Sequence, residues 1–127
     1  MGWFMKLIGL ETEPHGVVAL TDDNFRKEVL ESEVPVLVDA WSHGCGPCKL
    51  LEPVVMQLAK DYRGRLKVAE FDVSTAPKTA ARLRVSGTPT VVYFAKGREV
   101  ERVVGYRASH YHRELIDHEL LPPSANS

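Results

Sequence analysis

Cys45 and Cys48 are the only cysteines of the chain, and they stand three residues apart. A pair at this spacing can close into a small disulfide ring and open again, which makes it a two-electron switch. If Cys45 starts a helix, the two Cβ atoms lie about 5–6 Å apart, so a small adjustment brings them to the roughly 3.5–4.5 Å of a disulfide. The helix start also directs free N–H groups at Cys45, which stabilises the attacking thiolate. Pro47 fits this placement, because proline is tolerated in a first helical turn.

Two other interpretations of the cysteines are a pair of inert core residues and half of a metal site. A Cys₄ zinc site needs a second pair, which this chain could supply only by dimerisation. His110, His112 and His118 lack a facing-pair spacing with a third ligand, so we expect them on a solvated helix surface. The spacing therefore favours a redox-active pair and no metal.

The amino-acid composition limits the classes of protein to which the chain can belong. The chain has 127 residues, of which 44% are hydrophobic and 26% charged, as is usual for one globular domain. Its net charge of −1 gives no electrostatic case for a nucleic acid or an anionic membrane partner. The apolar residues 1–10 are too short to span a bilayer. We expect an N-terminal extension at 1–16, one domain at 17–121 and a tail at 122–127, in the cytoplasm.

Hydrophobic patterning predicts alternating strands and helices. Strands are expected at residues 17–20, 34–41, 66–73, 90–94 and 99–104, where short apolar or alternating runs occur. Helices are expected from a Thr21 cap to residue 31, from the cysteine pair onward with Pro53 inside, from a Ser74 or Thr75 cap to residue 83, and from Ser109 to Pro122.

This order predicts an α/β fold with a mixed central sheet and helices on both faces. Its first part implies right-handed parallel crossovers, and its end adds an antiparallel hairpin. The cysteines then lie at the carboxyl end of a central strand, where such folds usually place their chemistry.

From about residue 17 to residue 120 the chain resembles the thioredoxin family. The resemblance rests on separated motifs in the family's order: Val38-Asp39-Ala40-Trp41, Cys45-Gly46-Pro47-Cys48-Lys49, Pro53, Gly87-Thr88-Pro89-Thr90, Gly97 and Gly105. It implies the thioredoxin fold and a protein dithiol–disulfide oxidoreductase. Expected partners are disulfide-containing target proteins and a flavin-dependent reductase, and we expect a monomer that needs no bound cofactor.

The resemblance also assigns roles to individual residues. Cys45 is the expected nucleophile, Cys48 the resolving thiol, and Asp39 the buried carboxylate that takes and returns the resolving proton. Pro89 is expected to be cis and to shape the substrate groove, and Thr88 to offer backbone bonds to an extended target segment. The remaining groove residues are Gly44, Gly87 and Gly105, and the residues expected to tune the redox potential are Gly46, Pro47, Trp41 and Glu70.

Two of these positions depart from the family pattern. The family usually has tryptophan where this chain has Gly44, so a large apolar wall beside Cys45 is missing. The family often has lysine where this chain has Glu70, which places a second carboxyl near Asp39. Both departures bear on the redox potential and on the choice of partners. His43, two residues before Cys45, either assists the thiolate as a partial cation or is an exposed loop histidine, and we favour the loop histidine.

Two alternative functions use the same fold. One is a dedicated oxidant or isomerase, in which electrons flow the other way. The other is a non-catalytic binding or holdase module, which would not need both cysteines. The Gly-Pro between the cysteines favours the reducing role through the family resemblance.

Overall fold

A computed structural model describes residues 16–121 of the protein. The predicted arm before residue 16, the C-terminal tail and the helix stop at Pro122 lie outside the described residues.

A five-stranded mixed sheet forms the centre of the fold, in the spatial order β1-β3-β2-β4-β5. Strands β1 and β2 run parallel to β3, and β4 runs antiparallel to both β2 and β5. The predicted α/β fold class is therefore confirmed, and every strand end lies within two residues of the expected one. The strands are β1 Val17–Ala19, β2 Val36–Trp41, β3 Lys67–Asp72, β4 Thr90–Ala95 and β5 Arg98–Val104.

The longest helix, α1 (Gly46–Asp61), begins directly after the first cysteine and contains Pro53. Its buried residues recur every three or four positions, which packs one face on the sheet: Cys48, Leu51, Val55, Leu58 and Ala59. The shorter helices are α2 (Pro77–Arg82) and α3 (Ser109–Leu115), and α3 continues as a π-helical turn over Ile116–Leu120.

The expected Thr21 cap serves the turn over residues 22–24, whereas the helical segment after it has Phe25 at its N-cap, without a side-chain cap hydrogen bond. Thr21 Oγ1 accepts from the backbone N–H of Asp23 and Asn24, and the Asn24 side chain accepts from Thr21 N–H in return. The turn that follows, Arg26–Leu30, is π-helical, with Glu31 N–H donating to Arg26 O at 2.9 Å.

The expected cap of α2 is wrong. Neither Ser74 nor Thr75 caps this helix; Asp22, from a distant loop, accepts from the backbone N–H of Lys78 at 3.3 Å and of Thr79 at 2.8 Å. Ser74 instead donates to Asp72. A carboxylate from outside the helix satisfies the free N–H groups better than the local hydroxyls, because its charge also complements the helix dipole.

The expected solvated position of His112 is also wrong. His112 is only 1% exposed, because it lies four residues before Ile116 on the inward face of the helix. Its Nδ1 lies 2.6 Å from the hydroxyl of the buried Tyr93, and its buried Nε2 has no hydrogen-bond partner among residues 16–121. Burial without a second partner penalises the charged ring, which lowers the pKa of His112 to about 4.

Two connections adopt left-handed backbone. In the β4–β5 turn, Lys96 has φ +53° and Gly97 has φ +77°, and a Cβ on Gly97 would stand 2.8 Å from the carbonyl oxygen of Leu30. Arg84 follows α2 with φ +55°. Its N–H donates to Ala81 O while Val85 N–H donates to Ala80 O, which is the Schellman pattern that usually carries glycine.

The outer strand β5 is irregular. Tyr93 pairs with Glu101 and Phe94 with Glu99, so Val100 is an extra residue in the ladder and is 47% exposed. Four of the seven residues of β5 are charged. The opposite edge strand, β1, has only three residues.

Candidate active site

The two cysteines occupy the start of α1. Cys45 is the N-cap residue, Pro47 lies in the first turn, and the backbone N–H of Cys48 donates to Cys45 Sγ at 3.1 Å. The cysteines are joined by a disulfide with their Cα atoms 5.2 Å apart. Cys48 is 6% exposed, whereas Cys45 is half-buried. A partner sulfur therefore reaches Cys45 more easily than Cys48.

The loop before β4 lies directly against Cys45. The Thr88–Pro89 peptide bond is cis, as the family resemblance implied, and Cys45 Sγ lies 3.6 Å from the Thr88 carbonyl oxygen. Gly105 N–H donates to the Pro89 carbonyl at 2.8 Å, which fixes the end of β5 beside the same loop. A hydrogen bond of 2.6 Å between the hydroxyls of Ser42 and Thr88 connects this loop with the segment before Cys45.

A cleft of about 230 Å³ opens along this loop. The cleft has the size of one large side chain. Its lining consists of three residues with hydroxyl groups, two valines and a glycine: Ser42, Ser86, Thr88, Val73, Val85 and Gly87. The structure thus brings Gly87, Thr88, Pro89 and Gly105 together around Cys45.

The two glycines that flank Cys45 are exposed, with no atom within 4 Å of a Cβ built on either. Gly44 has φ +75°, a conformation that costs a residue with a Cβ about 1–2 kcal/mol. At the position before Cys45, where the family usually has tryptophan, this chain therefore has a left-handed glycine and an uncovered surface. Gly46 has no such constraint and is simply the first residue of α1.

Asp39 and Glu70 lie opposite one another on the neighbouring strands β2 and β3. Both are buried, at 1% and 0% exposure. The indole Nε1–H of Trp41 donates to Glu70 Oε1 at 2.5 Å. The sheet behind the cysteine helix thus holds two neighbouring buried carboxyl groups.

His43 forms a contact that the sequence analysis missed. Its Nε2 lies 2.8 Å from Asp72 Oδ2, and its ring meets Trp41 edge-on at 5.1 Å between centroids. The His43 side chain is 78% exposed, as expected of a loop histidine, but Asp72 is buried at 3%. The Ser74 N–H and hydroxyl hold the other Asp72 oxygen. Since Asp72 compensates any charge on His43, this histidine is a poor cation for the Cys45 thiolate.

Within the described part of the chain, no helix is long and apolar enough to cross a membrane. Over the same residues, no group of three or more His, Cys, Asp or Glu could hold a metal ion.

A cysteine pair at the start of a helix, following a central strand of a mixed sheet and facing a cis-proline loop, defines a dithiol–disulfide oxidoreductase. Residues 16–118 match the thioredoxin family, and the chain belongs to it.

Individual relatives agree with this assignment. Thioredoxin 1 of a Nostoc species is 42% identical over 86 residues, covering 68% of this chain and 80% of that protein. Thioredoxin of Mycobacterium bovis is 40% identical over 108 residues, covering 84% of this chain and 93% of that protein. The bifunctional thioredoxin reductase/thioredoxin of Mycobacterium leprae is 43% identical over 88 residues, covering 69% of this chain and 19% of that protein. The protein is therefore a protein-disulfide reductase of the thioredoxin type.

Proposed function

We propose that Cys45 attacks target disulfides and that Cys48 resolves the intermediate. The Cys45 thiolate attacks one target sulfur, forms a mixed disulfide and releases the other target sulfur as a thiolate. The Cys48 thiolate then attacks Cys45 Sγ and releases the second target sulfur. The target gains two electrons, and the Cys45–Cys48 disulfide remains. The difference in exposure between the two cysteines carries this assignment, because only the half-buried one is open to a protein partner.

The helix start supports the same order of steps. The Cys48 N–H that donates to Cys45 Sγ stabilises negative charge on that sulfur, as does the positive end of the α1 dipole. Cys48 lies one turn inside the helix, where it needs a proton acceptor before it can attack. Asp39, buried in the neighbouring strand, takes this proton in our proposal, and the Trp41 bond to Glu70 orders the second carboxyl beside it.

The groove beside Cys45 orients the target. An extended target segment lies along the half-buried Thr88, whose backbone offers strand-like hydrogen bonds. Pro89 has no N–H and ends this ladder. The cleft beside Thr88 receives a side chain that neighbours the target cysteine.

The electrons come from a flavin-dependent thioredoxin reductase in this proposal, and the protein itself carries no other cofactor. The Mycobacterium leprae relative, whose name combines both activities, supports this source. We retain as predictions that the protein is a cytoplasmic monomer without nucleic-acid or membrane partners.

Reduction of insulin by dithiothreitol tests the two cysteine roles. Cys45→Ser should abolish catalysis, because the attacking thiolate is gone. Cys48→Ser should accumulate a mixed disulfide through Cys45, because the resolving thiol is gone, and mass spectrometry would detect this adduct. Capture of insulin by the Cys45 variant rather than the Cys48 variant would reverse the assignment. An equilibrium with glutathione that favours the dithiol form would favour the oxidant alternative.

A further inference from the structure

Four segments form the cysteine motif, the cis-proline loop and the neighbours of that loop, and together they carry three cations and no carboxylate. They are residues 42–49, 73–76, 84–90 and 104–108, which we call the docking face, and their cations are Lys49, Arg84 and Arg107. The chain as a whole has a net charge of −1. The docking face is therefore positive on a protein that is slightly negative overall.

Each cation belongs to a segment that forms or adjoins the active site. Lys49 directly follows Cys48 in the first turn of α1, with its N–H donating to Cys45 O at 3.3 Å. Arg107 comes two residues after Gly105, which is bonded to the cis-proline loop. Arg84 begins that same loop, four residues before Thr88, so their Cα atoms are at most about 14 Å apart.

These cations are exposed and uncompensated. Among residues 16–121, none of the three forms an ion pair. By contrast, Glu99 compensates Arg102, and Asp61 compensates Arg113. Arg107 is instead held over the ring of Tyr111, with its Cζ 4.6 Å from the centroid. This contact keeps the guanidinium in place without reducing its charge.

Exposed apolar side chains adjoin two of the cations along the chain. Leu50, next to Lys49, is 63% exposed, and Val104 and Tyr106, on the Arg107 segment, are 67% and 40% exposed. An apolar patch with a charged rim is the arrangement of transient protein interfaces, in which the apolar part supplies contact and the rim supplies selectivity.

We propose that the docking face selects acidic targets, namely protein segments in which the reducible cysteine is flanked by Asp or Glu. This inference rests on the reductase function proposed above and specifies its substrate class. Lys49, Arg84 and Arg107 attract such a segment while it is still at a distance and orient it over Cys45. Because exposed charges act through solvent, the selection is mainly kinetic and weakens as salt screens the charges.

Three peptide substrates test the proposal. Each is a disulfide-linked homodimer of the same length, with its cysteine flanked on both sides by Glu, by Gln or by Lys. The dithiol form of the protein is mixed with each dimer, and the second-order rate of a single turnover is measured at about 10 mM and about 1 M salt, where the Debye length is about 30 Å and about 3 Å. At low salt we expect the Glu dimer to react about tenfold faster than the Gln dimer, and the Lys dimer slower than both. At high salt the three rates should converge.

A matched pair of variants locates the effect. The docking-face variant combines Lys49→Gln, Arg84→Gln and Arg107→Gln. With this variant, the three dimers should react at similar rates at low salt. The control combines Arg26→Gln, Lys27→Gln and Lys60→Gln, which removes the same charge from exposed positions outside the docking face and should preserve the preference.

The outcomes separate this inference from the reductase function. Equal low-salt rates for the three dimers with the unmodified protein overturn the selection of acidic targets and leave the reductase function standing. A control variant that loses the preference as fully as the docking-face variant overturns the assignment to this face. Failure to reduce even the Gln dimer would overturn the proposed function itself.

Discussion

Acidification should destabilise this protein through His112, a buried histidine in an otherwise apolar layer. Its pKa is lowered from 6.5 to about 4 because burial disfavours the imidazolium. Between these values the unfolded chain binds a proton that the native protein does not, so stability falls as pH falls from about 6.5 to about 4. This difference between the native and the unfolded pKa corresponds to about 3 kcal/mol, at about 1.36 kcal/mol per unit. That is a large part of the roughly 5–15 kcal/mol that stabilises a typical domain.

Urea unfolding at pH 7 and pH 4 measures this loss. The comparison protein is the double variant His112→Leu/Tyr93→Phe, which removes both partners of the buried bond and leaves no unpaired hydroxyl. Hydrogen bonds lower the pKa values of three carboxyls, Asp22, Asp61 and Glu99. Their contribution to the stability of the fold is therefore also lost in acid. Because both proteins contain these carboxyls, their contribution cancels in the comparison.

The expected result is an acid loss about 3 kcal/mol larger in the unmodified protein than in the double variant. His118→Leu serves as a control, since His118 is 69% exposed and its Nε2 lies 3.4 Å from Glu114 Oε1 on the surface. Equal acid losses in the unmodified protein and the double variant would refute the reasoning, because His112 would then not be held neutral by burial.

Three further predictions concern local backbone and the missed histidine contact. Gly64→Ala should lower the free energy of unfolding by about 1–2 kcal/mol, because Gly64 has a φ of +85°. Gly97→Ala should lower it by about 1–3 kcal/mol more, because its Cβ also meets a backbone carbonyl. Equal losses of the two variants in urea unfolding would contradict this clash. Arg84→Gly should raise the unfolding free energy by about 0.5–1 kcal/mol by relieving its left-handed backbone, and a loss in thermal unfolding would argue against strain there. His43→Phe, which leaves Asp72 without its imidazole partner, should cost about 1–2 kcal/mol, and His43→Gln should cost less; the reverse order would exclude a stabilising bond.

Local signals were enough to predict most of the fold. The apolar runs that became β2 and β3 are buried on both faces, and a cysteine at the start of α1 with proline in its first turn is a strong helix-start pattern. The resemblance to a known family located the cis peptide bond before Pro89, which no local pattern distinguishes from an ordinary bond.

The missed features all depend on partners that are far apart in sequence. Asp22 caps α2 across more than fifty residues, and His43 meets Asp72 only because β2 and β3 are parallel neighbours whose carboxyl ends coincide. The spacing of the three histidines predicted a surface position for His112. Its i,i+4 relation to Ile116 was the available sign that it faces the core.

The edges of the sheet bear on how copies of this protein behave at high concentration. Open strand edges are templates for edge-to-edge aggregation, and natural proteins blunt them with short strands, charges and bulges. Here the three-residue β1 forms one edge, while β5 combines four charged residues with the extra residue Val100 on the other. Both edges thus disfavour the addition of further strands and growth into fibrils. An extended segment of another protein is better accommodated beside Thr88, where its binding is brief and ends in thiol exchange.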